Sequence, residues 1–187
     1  MSDHTFSPIG MSQDEKLRMY VGSFWIFIIA EAIMFVTLFS TRFLLAGTLR
    51  SNELSQGLGI TSTILMLLGA FTVQRGLTMI KSGIFKNTGF YLNITALLGL
   101  IVMLVNGYEW LTSSMDWGSR FGEVYYITTL FHELHLLGGL IALVAIAIQA
   151  NKNRFTSENY WPVKAIQVYW IFVTVVWLCV YISLYLI

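Results

Sequence analysis

Charge is what this 187-residue chain has least of. Eleven Lys and Arg and ten Asp and Glu make up 11% of it, where a soluble domain carries about a quarter. That shortage excludes a water-solvated surface and places the chain in a membrane. A single cysteine, Cys179, excludes an intrachain disulfide and any cysteine cluster for metal. It lies in an apolar run and reads as a small buried or lipid-facing residue. Of the two prolines, neither interrupts an apolar stretch, since Pro162 stands just before the last one. No helix therefore carries the internal break that often marks a transporter site. A net charge of +1 argues neither for nucleic acid nor for a strongly acidic partner. Nucleotide-binding loops, nucleophile triads and thiolate centres are missing too, and with them any evident equipment for redox chemistry.

What is plentiful is apolar: 56% hydrophobic residues, 15% aromatics, six Trp and nine Tyr, a composition suited to a protein with two lipid–water interfaces. Five stretches reach the roughly 20 residues a bilayer crossing needs, at about 20–46, 58–80, 89–112, 123–150 and 163–187. Polar punctuation separates them: Ser51, Asn52 and Glu53; Lys86 and Asn87; Ser113 and Ser114; and 151–159. With no repeat or long linker, the expectation is an all-α, polytopic bundle of five transmembrane helices, a single domain over 20–187 preceded by a polar tail, 1–19. The tail has no signal-peptide character, and the first run is too long for a signal core, so it is expected to stay as a span.

Basic residues set the orientation. Lys16, Arg18, Arg75, Lys81, Lys86, Lys152, Arg154 and Lys164 fall on one side, and Arg42, Arg50 and Arg120 on the other. Eight against three puts the amino terminus in the cytoplasm and the carboxyl terminus outside. Aromatic residues near span ends, among them Tyr20, Trp25, Trp110, Trp117, Tyr160 and Trp161, fit interfacial anchors.

Inside the spans, Glu31 stands midway along an apolar run with no basic residue closer in sequence than Arg42. An ionised carboxylate in a dry apolar medium is costly, so Glu31 must be protonated, paired or wetted. Phe24, Phe27, Phe35 and Leu38 fall on or beside its stripe at 100° per residue. Arg42 returns to nearly the same face but stands about 16 Å further along a helix, too far for a direct pair. The partner of Glu31 must come from another helix or from a subunit outside this sequence, and the fourth span offers candidates in Phe131-His132-Glu133-Leu134-His135. His132 and His135 are expected to share a face with Thr128 and Gly139 as an interhelical stripe. An i, i+3 His pair beside a Glu can ligate metal, but it is not HExxH and nothing nearby completes a site. Nor can one helix supply two opposed haem ligands in this way. In the third span Asn106 and Glu109 form another i, i+3 polar pair, read as a cap or interfacial feature. Glu133 is a second membrane acid with the same energetic problem as Glu31.

Four motifs now stand in order. The first span reads Phe24-Trp25-Ile26-Phe27-Ile28-Ile29-Ala30-Glu31-Ala32-Ile33-Met34-Phe35; then come Asn106-x-x-Glu109-Trp110, Phe131-His132-x-x-His135-x-x-x-Gly139, and Tyr169-Trp170-x-Phe172-Val173-x-Val175-Val176-Trp177. From about residue 20 to the end, this series resembles subunit III of haem–copper terminal oxidases, the cytochrome c and quinol oxidases of respiratory chains, in a short five-helix bacterial form. The resemblance implies a non-catalytic subunit of a proton-pumping enzyme that reduces oxygen to water in aerobic electron transport. Haem and copper would sit in the catalytic subunit I, and this chain would carry no redox centre. It would pack on subunit I and the other oxidase subunits in a bacterial cytoplasmic membrane, bind structural phospholipid and support proton uptake. Glu31, His132, His135 and Glu133 would form its proton and hydrogen-bond network, and Trp25, Trp110, Trp170 and Trp177 would lie at aromatic or lipid interfaces.

The family usually has His where Ile171 stands, Asp where Thr174 stands, and a small residue where Glu133 stands. A polar contact from the last helix is thus expected to be missing or rerouted through Glu133. Two rival readings follow: a subunit-III-like protein associated with nitric oxide reductase, and a stand-alone proton-coupled carrier using Glu31, Glu133 and the histidines as a relay. The absence of broken helices or an inverted repeat counts against the carrier. The choice between cytochrome c and quinol as electron donor resides in other subunits.

Overall fold

Serine opens three of the helices. Ser12 Oγ accepts from the Glu15 amide at 3.3 Å while the Glu15 carboxylate accepts from the Ser12 amide at 2.7 Å, a capping box that starts α1 (Gln13–Ala46) well before its apolar run. Part of the expected polar tail is thus the first turns of α1. Ser55 caps α2 (Gln56–Lys81) through the Leu58 amide at 3.4 Å. Ser119 caps α4 (Arg120–Asn151) through the Gly122 amide at 3.0 Å. Gly83, at φ 76°, makes the tight exit from α2, a conformation that favours glycine. So little chain is needed there that α3 (Phe85–Thr112) begins at once, and Lys86 and Asn87 belong to its first turn rather than to a loop. Pro162 lies in the first turn of α5 (Trp161–Tyr181), where its missing N–H has no helical partner to lose. A π-helical turn, Ile182–Leu186, continues it.

The computed structural model describes residues 12–47, 53–152 and 154–187. Arg50, Ser51 and Asn52 lie outside the described residues, as does most of the polar tail. The described chain is all-helical, and all five helices, at 26–33 residues, are long and apolar enough to cross a membrane. Side by side, α2 and α3 form the most extensive pair; α4 packs on α3, α5 fits against α2 and α4, and α1 lies outermost, chiefly on α4 and α5.

Trp170 of α5 fills the centre and is wholly shielded. Three glycines from three helices make room for it. A Cβ on Gly69 of α2 would lie 2.8 Å from the indole Nε1, and one on Gly99 of α3 would collide with Cη2. One on Gly139 of α4 would meet Trp170 Cε3 at 3.5 Å and Tyr169 Cε1 at 3.0 Å. Small residues of this kind let membrane helices approach closely. Two turns on, Trp177 is equally buried and its Nε1 donates to Thr63 Oγ1 at 3.0 Å. Trp170 and Trp177, expected at aromatic or lipid interfaces, both lie inside the bundle: Trp170 fills the glycine openings of α2, α3 and α4, and Trp177 meets the rings of His132 and Tyr185. Trp25 does stand out from the bundle, while Trp110 is partly covered and donates to Thr129 Oγ1 at 3.2 Å.

Gly99→Ala is expected to destabilise the bundle by about 1–3 kcal/mol through overpacking against Trp170. Gly107→Ala, with nothing within 4 Å of its Cβ position, should be neutral or stabilising by up to about 1 kcal/mol. Thermal unfolding of the two variants in detergent reads the contrast.

Candidate functional site

Glu31 lies near the midpoint of α1 and faces α4, where its Oε2 is 2.8 Å from His135 Nε2. The other imidazole nitrogen, Nδ1, is 2.7 Å from the Phe131 carbonyl. A carbonyl only accepts, so Nδ1 carries a hydrogen. Nε2 then either accepts from a protonated Glu31 or, as part of an imidazolium, donates to the carboxylate. Both arrangements hold one shared proton and are neutral overall. Tyr169 steadies the pair by donating its hydroxyl to the His135 carbonyl at 3.0 Å, and the Phe35 ring meets the imidazole edge-on at 4.9 Å. With side chains 14% and 23% exposed, the pair reaches the edge of the bundle instead of its centre.

His132 does not join this pair. Three residues along a helix leave about 60° between two side chains, and α4 is packed on several sides, so His135 turns to α1 and His132 to α5. The expected shared stripe is split between two interfaces. His132 Nε2 lies 3.3 Å from the Val173 carbonyl and its ring is 5.0 Å from that of Trp177. Glu133 turns to a third neighbour, α3: its Oε1 accepts from Asn106 Nδ2 at 2.6 Å, and Asn106 Oδ1 accepts from Ser62 Oγ of α2 at 2.7 Å. Thr174 bonds back to the Trp170 carbonyl at 2.8 Å, and Ile171 is exposed on the outer face. Thus α5 meets His132 through the Val173 backbone carbonyl.

Asn106 and Glu109 are both buried and both reach other helices, not each other. Glu109 Oε1 accepts from the Ser55 amide at 3.0 Å, capping the start of α2, and Oε2 accepts from the Tyr185 hydroxyl. Glu109 thus caps the start of a neighbouring helix, not its own. Nearby, Tyr181 donates to Gln56 Oε1 at 3.2 Å and Gln56 Nε2 donates to the Tyr185 carbonyl. Arg42 is fully buried at the end of α1. Its Nε donates to the Ser183 carbonyl at 3.1 Å, Nη1 donates to the Gly47 carbonyl, and the guanidinium lies over the Phe121 ring at 4.8 Å. A cation at the carbonyl ends of two helical segments is electrostatically favoured. Sequence reasoning excluded Arg42 as a partner of Glu31 but missed this role, as it missed Ser62 and Tyr185. The available signal was a basic residue in the last turns of a helix.

Among the described residues no three His, Cys, Asp or Glu side chains converge to hold a metal. A mostly apolar cleft of about 370 Å³ opens between α1 and the α4–α5 face, lined by Phe24, Phe27, Gly138, Ala142, Ile166 and Tyr169, the last of which also bonds the His135 carbonyl.

These features define the class first: a polytopic α-helical membrane protein whose intramembrane acids are bound across helix interfaces. The family model for "Cytochrome c oxidase subunit III" matches residues 14–187. "Probable cytochrome c oxidase subunit 3" of Nocardia farcinica is 30% identical over 171 residues, covering 86% of this chain and 84% of the relative. Its Mycobacterium leprae counterpart is 32% identical over 142 residues, covering 73% and 70%. "Quinol oxidase subunit 3" of Bacillus subtilis is 29% identical over 188 residues, covering 93% and 90%. The chain belongs to the cytochrome c oxidase subunit III family. It is thus a multi-pass membrane subunit of a haem–copper oxidase, in a family that carries no redox centre.

His135→Phe removes the imidazole from Glu31 and is expected to cost about 1–3 kcal/mol. The double variant Glu31→Leu/His135→Phe should recover most of that loss. A double-mutant cycle on detergent unfolding midpoints measures the coupling, and additive single effects would rule the pair out as a stabilising contact.

Proposed function

We propose that this subunit stabilises the catalytic subunit of its oxidase, holds lipid against it and supports proton uptake, while haem and copper reside in the catalytic subunit. The Glu31–His135 pair carries this reading. It joins the middle of α1 to α4, partly exposed, with one proton count shared between two groups. A carboxyl so placed can exchange its proton with a neighbouring subunit or a water chain without leaving a bare charge in hydrocarbon. The mostly apolar cleft between α1 and the α4–α5 face suits a phospholipid acyl chain, which needs apolar walls and no polar partner. The basic residues favour an amino terminus in the cytoplasm of a bacterium and a carboxyl terminus outside.

Purification in mild detergent through a tag on this chain is expected to recover oxidase subunits with a haem spectrum. Recovery with nitric oxide reductase, or of the chain alone, overturns the assignment of partner. In the recovered complex, Glu31→Gln should slow proton uptake during turnover with haem content unchanged, and equal uptake by variant and parent would remove the proton role. Reporter fusions at the two termini test the orientation, with the amino-terminal fusion expected on the cytoplasmic side.

A further inference from the structure

The second acid, Glu133, lies in a cluster that the Glu31 pair does not use. It joins three helices: Ser62 of α2 donates to Asn106 of α3, and Asn106 donates to Glu133 of α4. These bonds have a fixed direction. Ser62 Oγ bonds Asn106 Oδ1, so the amide oxygen accepts and the amide nitrogen is left to donate to Glu133 Oε1. On its other side Glu133 Oε1 stands 3.6 Å from His132 Nδ1. That nitrogen is buried in a wholly shielded side chain and has no hydrogen-bond partner.

The proton arrangement of His132 follows from its other nitrogen. Nε2 faces the Val173 carbonyl, which can only accept, so Nε2 carries a hydrogen. Nδ1 is then bare in the neutral ring. Facing an ionised Glu133, it would set lone pair against lone pair in a low-dielectric interior, with Asn106 as the donor to the acid. One added proton removes the conflict. On Glu133 it makes a carboxylic acid that donates to Nδ1; on Nδ1 it makes an imidazolium that donates to the carboxylate. Either closes the 3.6 Å gap with a small side-chain rotation.

We infer that His132 and Glu133 form a second proton-binding site, separate from the Glu31–His135 pair and oriented by Asn106 and Ser62. Its ligand is a single proton taken from water, which brings the site from one negative charge to neutral and moves no electron. The surrounding groups from each helix fit this count. From α2 the cluster meets Ser62, from α3 Asn106, and from α5 the Val173 carbonyl and the Trp177 ring. The adjacent ionisable groups are engaged elsewhere, Glu109 with Ser55 and Tyr185 and His135 with Glu31. The site stands on the cluster's own geometry and does not depend on which role the subunit plays in proton uptake.

Infrared spectra of the purified complex in H2O and D2O, parent minus Glu133→Gln, test it. Gln keeps an oxygen for Asn106 and offers an amide donor to Nδ1, so assembly should survive. Loss of one deuterium-sensitive carboxylic C=O band in the variant means that the proton rests on Glu133. Loss of carboxylate bands together with an imidazolium ring band means that it rests on His132. Both results support the site. Loss of carboxylate bands with no imidazolium signal overturns it. If Glu133→Gln does not assemble, Glu133→Asp keeps the acid but draws it back from Asn106. The same bands must then shift, and an unshifted spectrum equally overturns the proposal. Neither result depends on the proton-uptake assay of Glu31→Gln, so the two readings fail separately.

Discussion

The seating of Trp170 governs how close the helices of this bundle come. An indole from α5 occupies the space that side chains on Gly69, Gly99 and Gly139 would fill, so α2, α3 and α4 close around one ring. Between helices in lipid the solvent offers no hydrophobic drive, and packing of this kind supplies the attraction. The approach also brings polar side chains within reach of each other. Ser62, Asn106 and Glu133 come from the three helices that enclose Trp170, and His132 bonds the backbone of α5 only three residues beyond it. The ring's own Nε1 is left without an acceptor, a desolvation loss of about 1–3 kcal/mol that the surrounding contacts must offset.

Within that frame α4 acts as the polar axis. Over four consecutive residues it presents His132 to α5, Glu133 to α3 and His135 to α1. Hydrocarbon leaves no polar group a free partner in solvent, so each must find one inside the protein. Both imidazoles meet a backbone carbonyl on one side and a carboxylate on the other. Pinning one nitrogen to an acceptor fixes which nitrogen of each ring carries a hydrogen in its neutral form. The two pairs differ in reach: Glu31 and His135 lie at the rim of the bundle, whereas His132 is sealed within it.

The architecture was legible in the sequence because it is written in composition. Five apolar runs divided by short polar segments leave little choice beyond five spanning helices, and the motif order from Glu31 to Trp177 pointed to the family that the comparisons show. Helix ends were less legible. Ser12 with Glu15 extends α1 into polar sequence, and Gly83 shortens the next connection, because caps and turns depend on local hydrogen bonds that hydropathy does not register. In the candidate site, helical spacing could show that Glu31 needed a partner from elsewhere and could offer two histidines. It could not say which one, since that depends on the rotation of α4 against α1. The burial of Trp170 was illegible for a related reason. An aromatic ring suits lipid and core alike, and only the glycines on other helices reveal the space prepared for it.

The Arg42 contact sets an order of assembly. Its acceptor at Ser183 lies 141 positions further along the chain, so in synthesis the guanidinium enters the membrane region long before the carbonyl it will meet. Until the last helix arrives, that charge can rest on the Gly47 carbonyl at its own helix end and on the Phe121 ring of α4, or stay hydrated at the headgroup boundary. The outermost helix is thus the first made, yet its far end is among the last to be fastened. Newly made chains should pass through a stage in which α1 already rests on α4 while its far end still awaits the Ser183 carbonyl of the fifth helix.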